Sequence, residues 1–235
     1  TAGVVARELD APAHIHIDKG VRPSSGLGSS AASAAAAAVA LDALYERGHT
    51  EEELVRVAAE GEAAVSGEAH ADNVAPSILG GFTVVRDDGV LSIDATVPLV
   101  ACLPEIVVST RDARGVVPHS AEMSDIVHTV GSAATLTAGM QRDDPALVGR
   151  GMDERVVTPA RARLIDGYDD VCAAAADAGA TGVTVSGAGP AIIAACDPSC
   201  QRAVASEMVE AFEEAGVDAR AYRSSVGRGA EIIER

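Results

Sequence analysis

A run of glycines and serines lies directly before a long alanine-rich segment, in the stretch RPSSGLGSSAASAAAAAVALDALY from Arg22 to Tyr45. A helix needs only one capping side chain, yet this run supplies several small residues whose backbone N–H groups can converge. Such groups, together with the positive end of the helix dipole, bind anions and phosphate in particular. We therefore predict that the backbone from Gly26 to Ser30 forms a phosphate cradle, against the plainer alternative of a capped helix with a mobile loop.

Two common phosphate motifs fit this stretch poorly. The Walker pattern requires a lysine before a serine or threonine, whereas Gly28 is followed by Ser29. The dinucleotide fingerprint G-x-G-x-x-A is satisfied by Gly26, Gly28 and Ala31, but that fold needs a strand with an acidic residue after the helix. A second helix is predicted there instead, so neither motif is favoured.

The string PSSGLGSSAAS resembles the second motif of the small-molecule kinases grouped as galactokinase, homoserine kinase, mevalonate kinase and phosphomevalonate kinase. The segment HADNVAPSILGGF (70–82) is similar to its counterpart in the homoserine kinase branch, and VSGAGPAII (185–193) is similar to the glycine-rich third motif of the superfamily. The similarity runs in order over nearly all 235 residues.

The resemblance implies an α+β fold in two halves. The first, residues 1–99, is expected to be an ATP-binding domain of the ribosomal-protein-S5-like type. The second, residues 100–235, is expected to be a ferredoxin-like C-terminal kinase domain. The active site of such kinases lies in the cleft between the halves.

The resemblance also implies a reaction: ATP-dependent phosphorylation of the side-chain hydroxyl of L-homoserine to O-phospho-L-homoserine, in threonine biosynthesis, with Mg²⁺. Ser30 and Glu62 are the implied metal-binding residues. From the sequence alone, the alternative for Glu62 is a carboxylate on the solvated face of a helix. The implied ATP-binding segment comprises Pro23, Ser24, Ser25, Gly26, Leu27, Gly28, Ser29, Ser30, Ala31, Ala32 and Ser33.

For the acceptor, the resemblance assigns homoserine binding to Asn73, Thr110, Arg114, Arg161 and Gly187, with Asn73, Arg114 and Arg161 as the catalytic residues. The arginines are chemically reasonable, because a guanidinium can grip a carboxylate through two parallel hydrogen bonds. An asparagine is no useful base, and the resemblance to the homoserine kinase branch implies catalysis by positioning, with the phosphate itself able to take the hydroxyl proton. Two neighbouring side chains, His70 and Asp72, are the alternative bases.

Other functions remain open at this point. Another acceptor alcohol, such as mevalonate or shikimate, would suit the same superfamily, and a non-catalytic nucleotide-binding protein could have kept the loop. The resemblance favours homoserine as the small-molecule partner and a homodimer as the assembly.

The amino-acid composition indicates which classes of binding partner are unfavourable and in which cellular compartment the protein works. The formal net charge is −17, from 18 basic and 35 acidic residues, which disfavours nucleic acid and anionic membranes as partners. Lys19 is the only lysine and aromatic residues make up 2%, a pattern that indicates a high-salt cytoplasm, with an ordinary acidic protein as the alternative. The spacing of Cys102, Cys172, Cys196 and Cys200 matches no zinc site, so we predict free thiols in a reducing compartment.

Periodicity predicts a strand over 13–18, a helix over 29–46 and a second helix opened by the capping box of Thr50 and Glu53. Pro76 and the pair Gly80-Gly81 should interrupt the next segment, before a hairpin turning at Gly89. A new strand is predicted over 105–110. Helices and strands then alternate to the end of the chain.

The first motif of the superfamily, of the form PATxANLGxGFD, has no counterpart in TAGVVARELDAPAHIHID at the start of the sequence. This leads to the expectation that the chain is an N-terminal truncation of a longer kinase. Such a chain is expected to phosphorylate homoserine weakly or not at all, and to regain activity when the upstream coding region is included.

Overall fold

The computed structural model describes residues 1–66 and 69–233. The chain divides into two units. The first comprises Thr1–Pro23, Gly28–Asp94 and Gly227–Arg235, and the second comprises Ser24–Leu27 and Ala95–Val226. Within the described ranges, no helix is both long enough and apolar enough to cross a lipid bilayer.

The first unit is a cluster of helices with one β-hairpin. Its core is built around the alanine-rich helix, in which Ala31, Ala34, Ala35, Ala38 and Leu41 are all buried. Alanine favours the helix, and its small side chain lets three neighbouring helices approach closely. The elements are α1 (Ala2–Glu8), α2 (Ser29–Tyr45), α3 (Glu51–Ser66), α4 (Ala71–Leu79), β1 (Phe82–Arg86) and β2 (Gly89–Ile93).

The second unit contains a four-stranded antiparallel sheet, in the order Ala180–Val185, Ile192–Cys196, Pro98–Pro104, Ala219–Ser225. Ile192 and Phe212, both fully buried, belong to the core between this sheet and the helices Tyr168–Asp177 and Gln201–Glu214. The elements are β3 (Pro98–Pro104), α5 (Thr110–Gly115), α6 (Met123–Gln141), α7 (Pro145–Gly151), α8 (Thr158–Ala162), α9 (Tyr168–Asp177), β4 (Ala180–Val185), β5 (Ile192–Cys196), α10 (Gln201–Glu214) and β6 (Ala219–Ser225).

Several local predictions are confirmed. The alanine-rich helix begins at Ser29, and β1 pairs with β2 as an antiparallel hairpin. The capping box is also present: the Glu53 carboxylate accepts a hydrogen bond from the Thr50 backbone N–H (2.8 Å), and the Thr50 hydroxyl accepts one from the Glu53 N–H (3.3 Å). These features depend on residues close together in the sequence, which is why they could be predicted.

Two predicted strands are wrong. Residues 13–18 form no strand, and in the described part of the chain no neighbouring strand pairs with them to complete their backbone hydrogen bonds. The strand predicted over 105–110 lies earlier, at Pro98–Pro104. After it, the Ser109 hydroxyl accepts a hydrogen bond from the Asp112 N–H (3.0 Å) and caps α5, so the chain turns into a helix at this point.

Pro76 does not interrupt its segment as predicted, because α4 continues through it to Leu79. Proline removes one N–H donor from the helix, but the buried side chains of Val74, Ala75 and Ile78 hold α4 against the core of the first unit. The helix ends where the glycine pair begins, with the Gly80 N–H bonded to the Pro76 carbonyl at 3.0 Å.

Candidate active site

The glycine-serine loop adopts backbone conformations that most residues avoid. Gly26 and Gly28 have φ values of +80° and +73°, and Ser24 has a φ of +57°. Inside the loop, the buried Ser25 hydroxyl accepts a hydrogen bond from the Leu27 N–H at 3.2 Å. Glycine reaches these conformations at little cost, so the two glycines let the loop turn tightly before α2.

The part of the loop that belongs to the second unit is held by the glycine-rich third motif. The Ser186 hydroxyl donates to the Gly26 carbonyl at 2.9 Å, and the Ala191 N–H donates to the Ser25 carbonyl at 3.0 Å. A Cβ on Gly26 would lie against the backbones of Ser186 and Gly189. The third motif therefore holds this part of the glycine-serine loop through the Ser186 hydroxyl and the Ala191 backbone.

The first turn of α2 is open to a ligand. Its N-cap residue is Gly28, which offers no side-chain cap, so N–H groups of the first turn are available to an anion. Within the predicted ATP-binding segment, the side chains of Ala31 and Ser33 are buried. Those two side chains therefore pack α2 rather than face a ligand, and any contact they made to ATP would be through the backbone.

Ser30 and Glu62, the predicted metal-binding residues, are in contact. The Ser30 hydroxyl donates a hydrogen bond to the Glu62 carboxylate at 2.9 Å, and Glu62 is 5% exposed. A serine hydroxyl and a carboxylate are both oxygen ligands of the kind Mg²⁺ prefers, and such sites commonly use one or two carboxylates together with substrate phosphates. The pair therefore fits the implied metal.

Asn73 lies beside the start of α2. A Cβ placed on Gly28 would be 3.9 Å from the Asn73 side-chain oxygen. The Asn73 amide nitrogen donates to Asp72 at 3.2 Å, and the His70 imidazole lies 4.0 Å from the same Asp72 carboxylate. The first unit thus brings together Asn73, the two alternative bases and the N-terminal end of α2.

Arg161 and Arg114 form a pair of positive charges in the second unit. Arg161 donates from Nη1 to the Gly187 carbonyl at 2.7 Å and from Nε to the Ala113 carbonyl at 3.3 Å. Burial, and then the positive charge of Arg114, lower the pKa of Arg161 from its ordinary value, while Glu154 opposes the shift. Two guanidinium groups placed this close repel each other, and a bound carboxylate would relieve the repulsion.

The structure also separates Arg161 from Arg163, which lies two positions further along. Arg163 is exposed and lines a different cavity of about 680 Å³, together with Asp166 and Tyr168. Of these two arginines, Arg161 is the one that the structure places against the Gly187 carbonyl and near Arg114. Thr110, also predicted to bind homoserine, begins α5, but its side chain lies outside the described residues.

One residue beside the phosphate loop was not predicted as part of the site. Lys19 contacts Ser29 in the first turn of α2. Lys19 is the only lysine in the chain. The sequence analysis used that fact only as evidence for a high-salt cytoplasm, and not as an indication of a residue near the loop.

Comparison with known proteins gives matches along the whole chain. Residues 1–81 match the family model of the GHMP kinases N-terminal domain, and residues 136–215 match that of the GHMP kinases C-terminal domain. A homoserine kinase of Natronomonas pharaonis is 70% identical over 99% of this chain and 80% of its own length. One of Haloarcula marismortui is 66% identical, with the same two coverages.

Comparison with solved structures also gives kinases. A homoserine kinase from Cytophaga hutchinsonii is 37% identical, with a TM-score of 0.84 over 90% of this chain and 69% of its own. A mevalonate kinase from L. major, in complex with R-mevalonate, has a TM-score of 0.64 over 98% of this chain and 76% of its own. At 20% identity, the second of these shows a shared fold only.

Proposed function

Since the chain belongs to the GHMP kinase family, we propose that it transfers the γ-phosphoryl group of ATP to the side-chain hydroxyl of L-homoserine. The products are ADP and O-phospho-L-homoserine, an intermediate of threonine biosynthesis. Relatives that are 64–70% identical to this chain are homoserine kinases, and this degree of identity supports the same acceptor.

The phosphate groups of ATP bind to the loop from Gly26 to Ser30. The loop has the left-handed glycine conformations that bring backbone N–H groups together, and the helix α2 behind it is 17 residues long. The positive end of its dipole favours the negative phosphates. Because phosphoryl transfer depends mainly on positioning and charge neutralisation, this backbone site is the first part of the catalytic machinery.

Ser30 and Glu62 would hold Mg²⁺. Their oxygen atoms are 2.9 Å apart and belong to adjacent helices, α2 and α3. When bound, the ion neutralises charge on the phosphate oxygens. The buried Glu62 carboxylate is kept in place by the Ser30 hydroxyl, so the two ligands are oriented before the substrates arrive.

Arg114 and Arg161 bind the homoserine carboxylate, and this arginine pair is the single structural observation that most supports an acceptor with a carboxylate group. Arg161 is already fixed by two backbone carbonyls, those of Gly187 and Ala113. An arginine held in this way can offer its remaining N–H groups to a carboxylate in a fixed geometry.

Asn73 binds the amino-acid substrate and orients it for transfer. The homoserine hydroxyl oxygen forms a bond to the γ-phosphorus, the bond from that phosphorus to the β–γ bridging oxygen breaks, and ADP leaves with the electron pair. The hydroxyl proton passes to a phosphoryl oxygen. The alternative proton acceptors, His70 and Asp72, lie three positions and one position before Asn73 in the sequence.

A coupled ADP-release assay across homoserine, mevalonate and shikimate tests the proposal. We expect turnover with homoserine at least about tenfold above that with the other two alcohols. If the chain turns over another alcohol faster than homoserine, that alcohol is the phosphoryl acceptor and the assignment of homoserine is wrong. ATP binding without turnover of any alcohol, by a chain extended at its N-terminus as well as by this one, would indicate a non-catalytic nucleotide-binding protein.

We also propose a homodimer in a high-salt, reducing cytoplasm. The net charge of −17 and four cysteines that form no disulfide support the compartment, as does the similarity to a kinase of Haloarcula marismortui. Sedimentation of the purified chain in molar potassium chloride tests the dimer.

A further inference from the structure

Arg161 lies on a short helix that buries little of its surface. The helix α8 has five residues, Thr158–Ala162, and every one of them is at least partly exposed. Helices this short are marginal by themselves, and most helices in proteins are stabilised by an apolar face packed against a core. The position of the Arg161 side chain must therefore depend largely on the polar contacts of α8.

The Glu154 carboxylate supplies these contacts at the start of α8. It accepts hydrogen bonds from the N–H groups of Val156 and Val157, both at 2.7 Å, and of Thr158 at 2.6 Å. Hydrogen bonds to an ionised acceptor are about twice as strong as those between neutral groups. The Thr129 hydroxyl donates to the same carboxylate at 3.4 Å, so Glu154 also joins the start of α8 to α6.

These hydrogen bonds lead to Arg161 through one turn of backbone. Val157, whose N–H group is bound by Glu154, accepts a hydrogen bond at its carbonyl from the Arg161 N–H at 3.0 Å. The Arg161 guanidinium then donates to the carbonyls of Gly187 and Ala113. The backbone of Arg161 is thus held from the side of Glu154, and its guanidinium is held by two carbonyls.

We propose that Glu154 is a positioning residue of the acceptor site, which binds the start of α8 and thereby sets where the Arg161 guanidinium meets the carboxylate of homoserine. This inference rests on the proposed function and adds to it a residue that acts only through Arg161. Small errors in the placement of a binding group are costly for catalysis, so a loosened α8 should weaken the use of homoserine.

The charge of Glu154 alone would act in the opposite direction. Burial, and then Arg114, lower the pKa of Arg161, and the Glu154 carboxylate opposes that shift. The same negative charge repels the carboxylate of a substrate bound at Arg161. Removing the charge without a loss of position should therefore lower the KM for homoserine, whereas a loss of position should raise it. The sign of the change separates the two effects.

The test is steady-state kinetics of Glu154→Gln, which removes the charge and keeps the length of the side chain. We expect the KM for homoserine to rise about fivefold or more, and the KM for ATP to change by less than about twofold. Glu154→Asp keeps the charge and shortens the reach of the side chain, so it should raise the KM for homoserine by a smaller factor. This second variant serves for every comparison if Glu154→Gln does not fold.

Asp144→Asn is the matched control. Asp144 caps α7 in the same unit by accepting hydrogen bonds from the N–H groups of Ala146 and Leu147. Unlike α8, α7 has buried residues, Val148 among them, and packing should keep it in place. Asp144→Asn should therefore lower the melting temperature, as Glu154→Gln does, and leave both KM values within about twofold of those of the unaltered chain.

A double-mutant cycle shows whether Glu154 acts through Arg161. In the Arg161→Lys background, Glu154→Gln should raise the KM for homoserine by less than about a further twofold, because the contact that it positions is already lost. An equal factor in both backgrounds would mean that Glu154 acts independently of Arg161, and the inference would be wrong.

The remaining outcomes distinguish this inference from the proposed function. If Glu154→Gln phosphorylates homoserine with an unchanged or lowered KM, or if Asp144→Asn raises that KM equally, Glu154 only stabilises the fold. The inference is then wrong and the kinase function stands. If the unaltered chain does not phosphorylate homoserine, the proposed function is wrong for this chain and the inference is wrong with it.

Discussion

The Ser30 hydroxyl donates a hydrogen bond to the Glu62 carboxylate at 2.9 Å and thereby connects the first turn of α2 to α3. Glu62 is 5% exposed, while its neighbour Glu60 on the same helix is exposed. A buried carboxylate is costly unless it has partners. The burial of Glu62 is therefore better explained by a binding role than by a solvated helix face.

Replacing Glu62 with glutamine should lower turnover at least about tenfold, because the neutral amide would hold Mg²⁺ weakly. Ser30→Ala should have a smaller effect in the same direction. The measurement is turnover against magnesium concentration, in which added magnesium should restore part of the activity. Glu60→Gln is the matched control and should be unaffected. If Glu62→Gln has normal turnover at limiting magnesium, the assignment of Glu62 as a metal ligand is wrong.

Arg161→Lys should raise the KM for homoserine about tenfold or more, because lysine cannot keep the forked contact with a carboxylate. Arg114→Lys should act similarly, and the KM for ATP should change by less than about twofold in both. Steady-state kinetics with each substrate varied in turn give these values. Arg163→Lys, which alters the exposed neighbouring arginine, is the control. Equal changes in both KM values would contradict the carboxylate assignment.

Gly26→Ala should disrupt the phosphate loop. A left-handed backbone costs a non-glycine residue about 1–2 kcal/mol, and the added Cβ would also meet the backbones of Ser186 and Gly189. We expect a lower melting temperature and loss of ATP binding, measured by calorimetry. Gly20→Ala is the control, because a Cβ there meets nothing within 4 Å. If both variants behave alike, the close approach at Gly26 has no functional importance.

Glu154 should make stability depend on pH. Burial raises the pKa of Glu154, but hydrogen bonds from the N–H groups of Thr158, Val156 and Val157 outweigh burial and hold the pKa below its ordinary value of 4.5. A depressed pKa stabilises the folded state above pH 4.5, and this contribution is lost as the pH falls through the folded-state pKa.

Glu154→Gln should therefore lower the free energy of unfolding by about 1–2 kcal/mol at pH 7, because backbone N–H groups bind a charged carboxylate more strongly than a neutral amide. The difference from the unaltered chain should shrink below pH 4.5. Urea unfolding at graded pH measures it. Glu122→Gln is the control, since Glu122 occupies the N-cap of α6 without making a cap hydrogen bond. A difference that stays constant down to pH 3 would contradict the assigned cause.

Salt should stabilise the chain. With a net charge of −17, its surface charges repel one another, and the screening length falls from about 10 Å at 0.1 M salt to about 3 Å at 1 M. We expect the melting temperature to rise by at least about 5 °C between these concentrations, which corresponds to roughly 2 kcal/mol for a chain of this size. Sucrose at matched osmolality is the control for non-electrostatic effects. A melting temperature indifferent to potassium chloride would instead favour an ordinary acidic protein.

Local features were predictable because their causes lie within a few residues. The capping box of Thr50 and Glu53, the start of α2 at Ser29 and the hairpin turning near Gly89 each depend on neighbours in the chain. The predicted strands at 13–18 and 105–110 failed for the opposite reason. A strand needs a partner, and alternation of apolar residues does not say whether one exists.

In the candidate site, too, local features could be predicted and features that depend on distant residues could not. The glycine and serine pattern of the phosphate loop and its place before a helix could be recognised from the sequence, since backbone conformation there depends on residue type. The assignment of Arg161 came from the resemblance, and residue type alone would not separate it from Arg163, because both are arginines on the same short segment and differ only in what surrounds them.

The sequence by itself determined the fold class and the kinase superfamily, and it predicted the phosphate loop, because these are encoded in contiguous motifs. Only the tertiary structure decided which distant residues meet: Ser30 with Glu62, Arg161 with the Gly187 carbonyl, and Ser186 with the Gly26 carbonyl, 160 positions apart. Those contacts depend on how buried helices and strands pack around two cores. Packing satisfies many apolar and polar groups at once, so no short stretch of sequence carries the information for any one of these pairs.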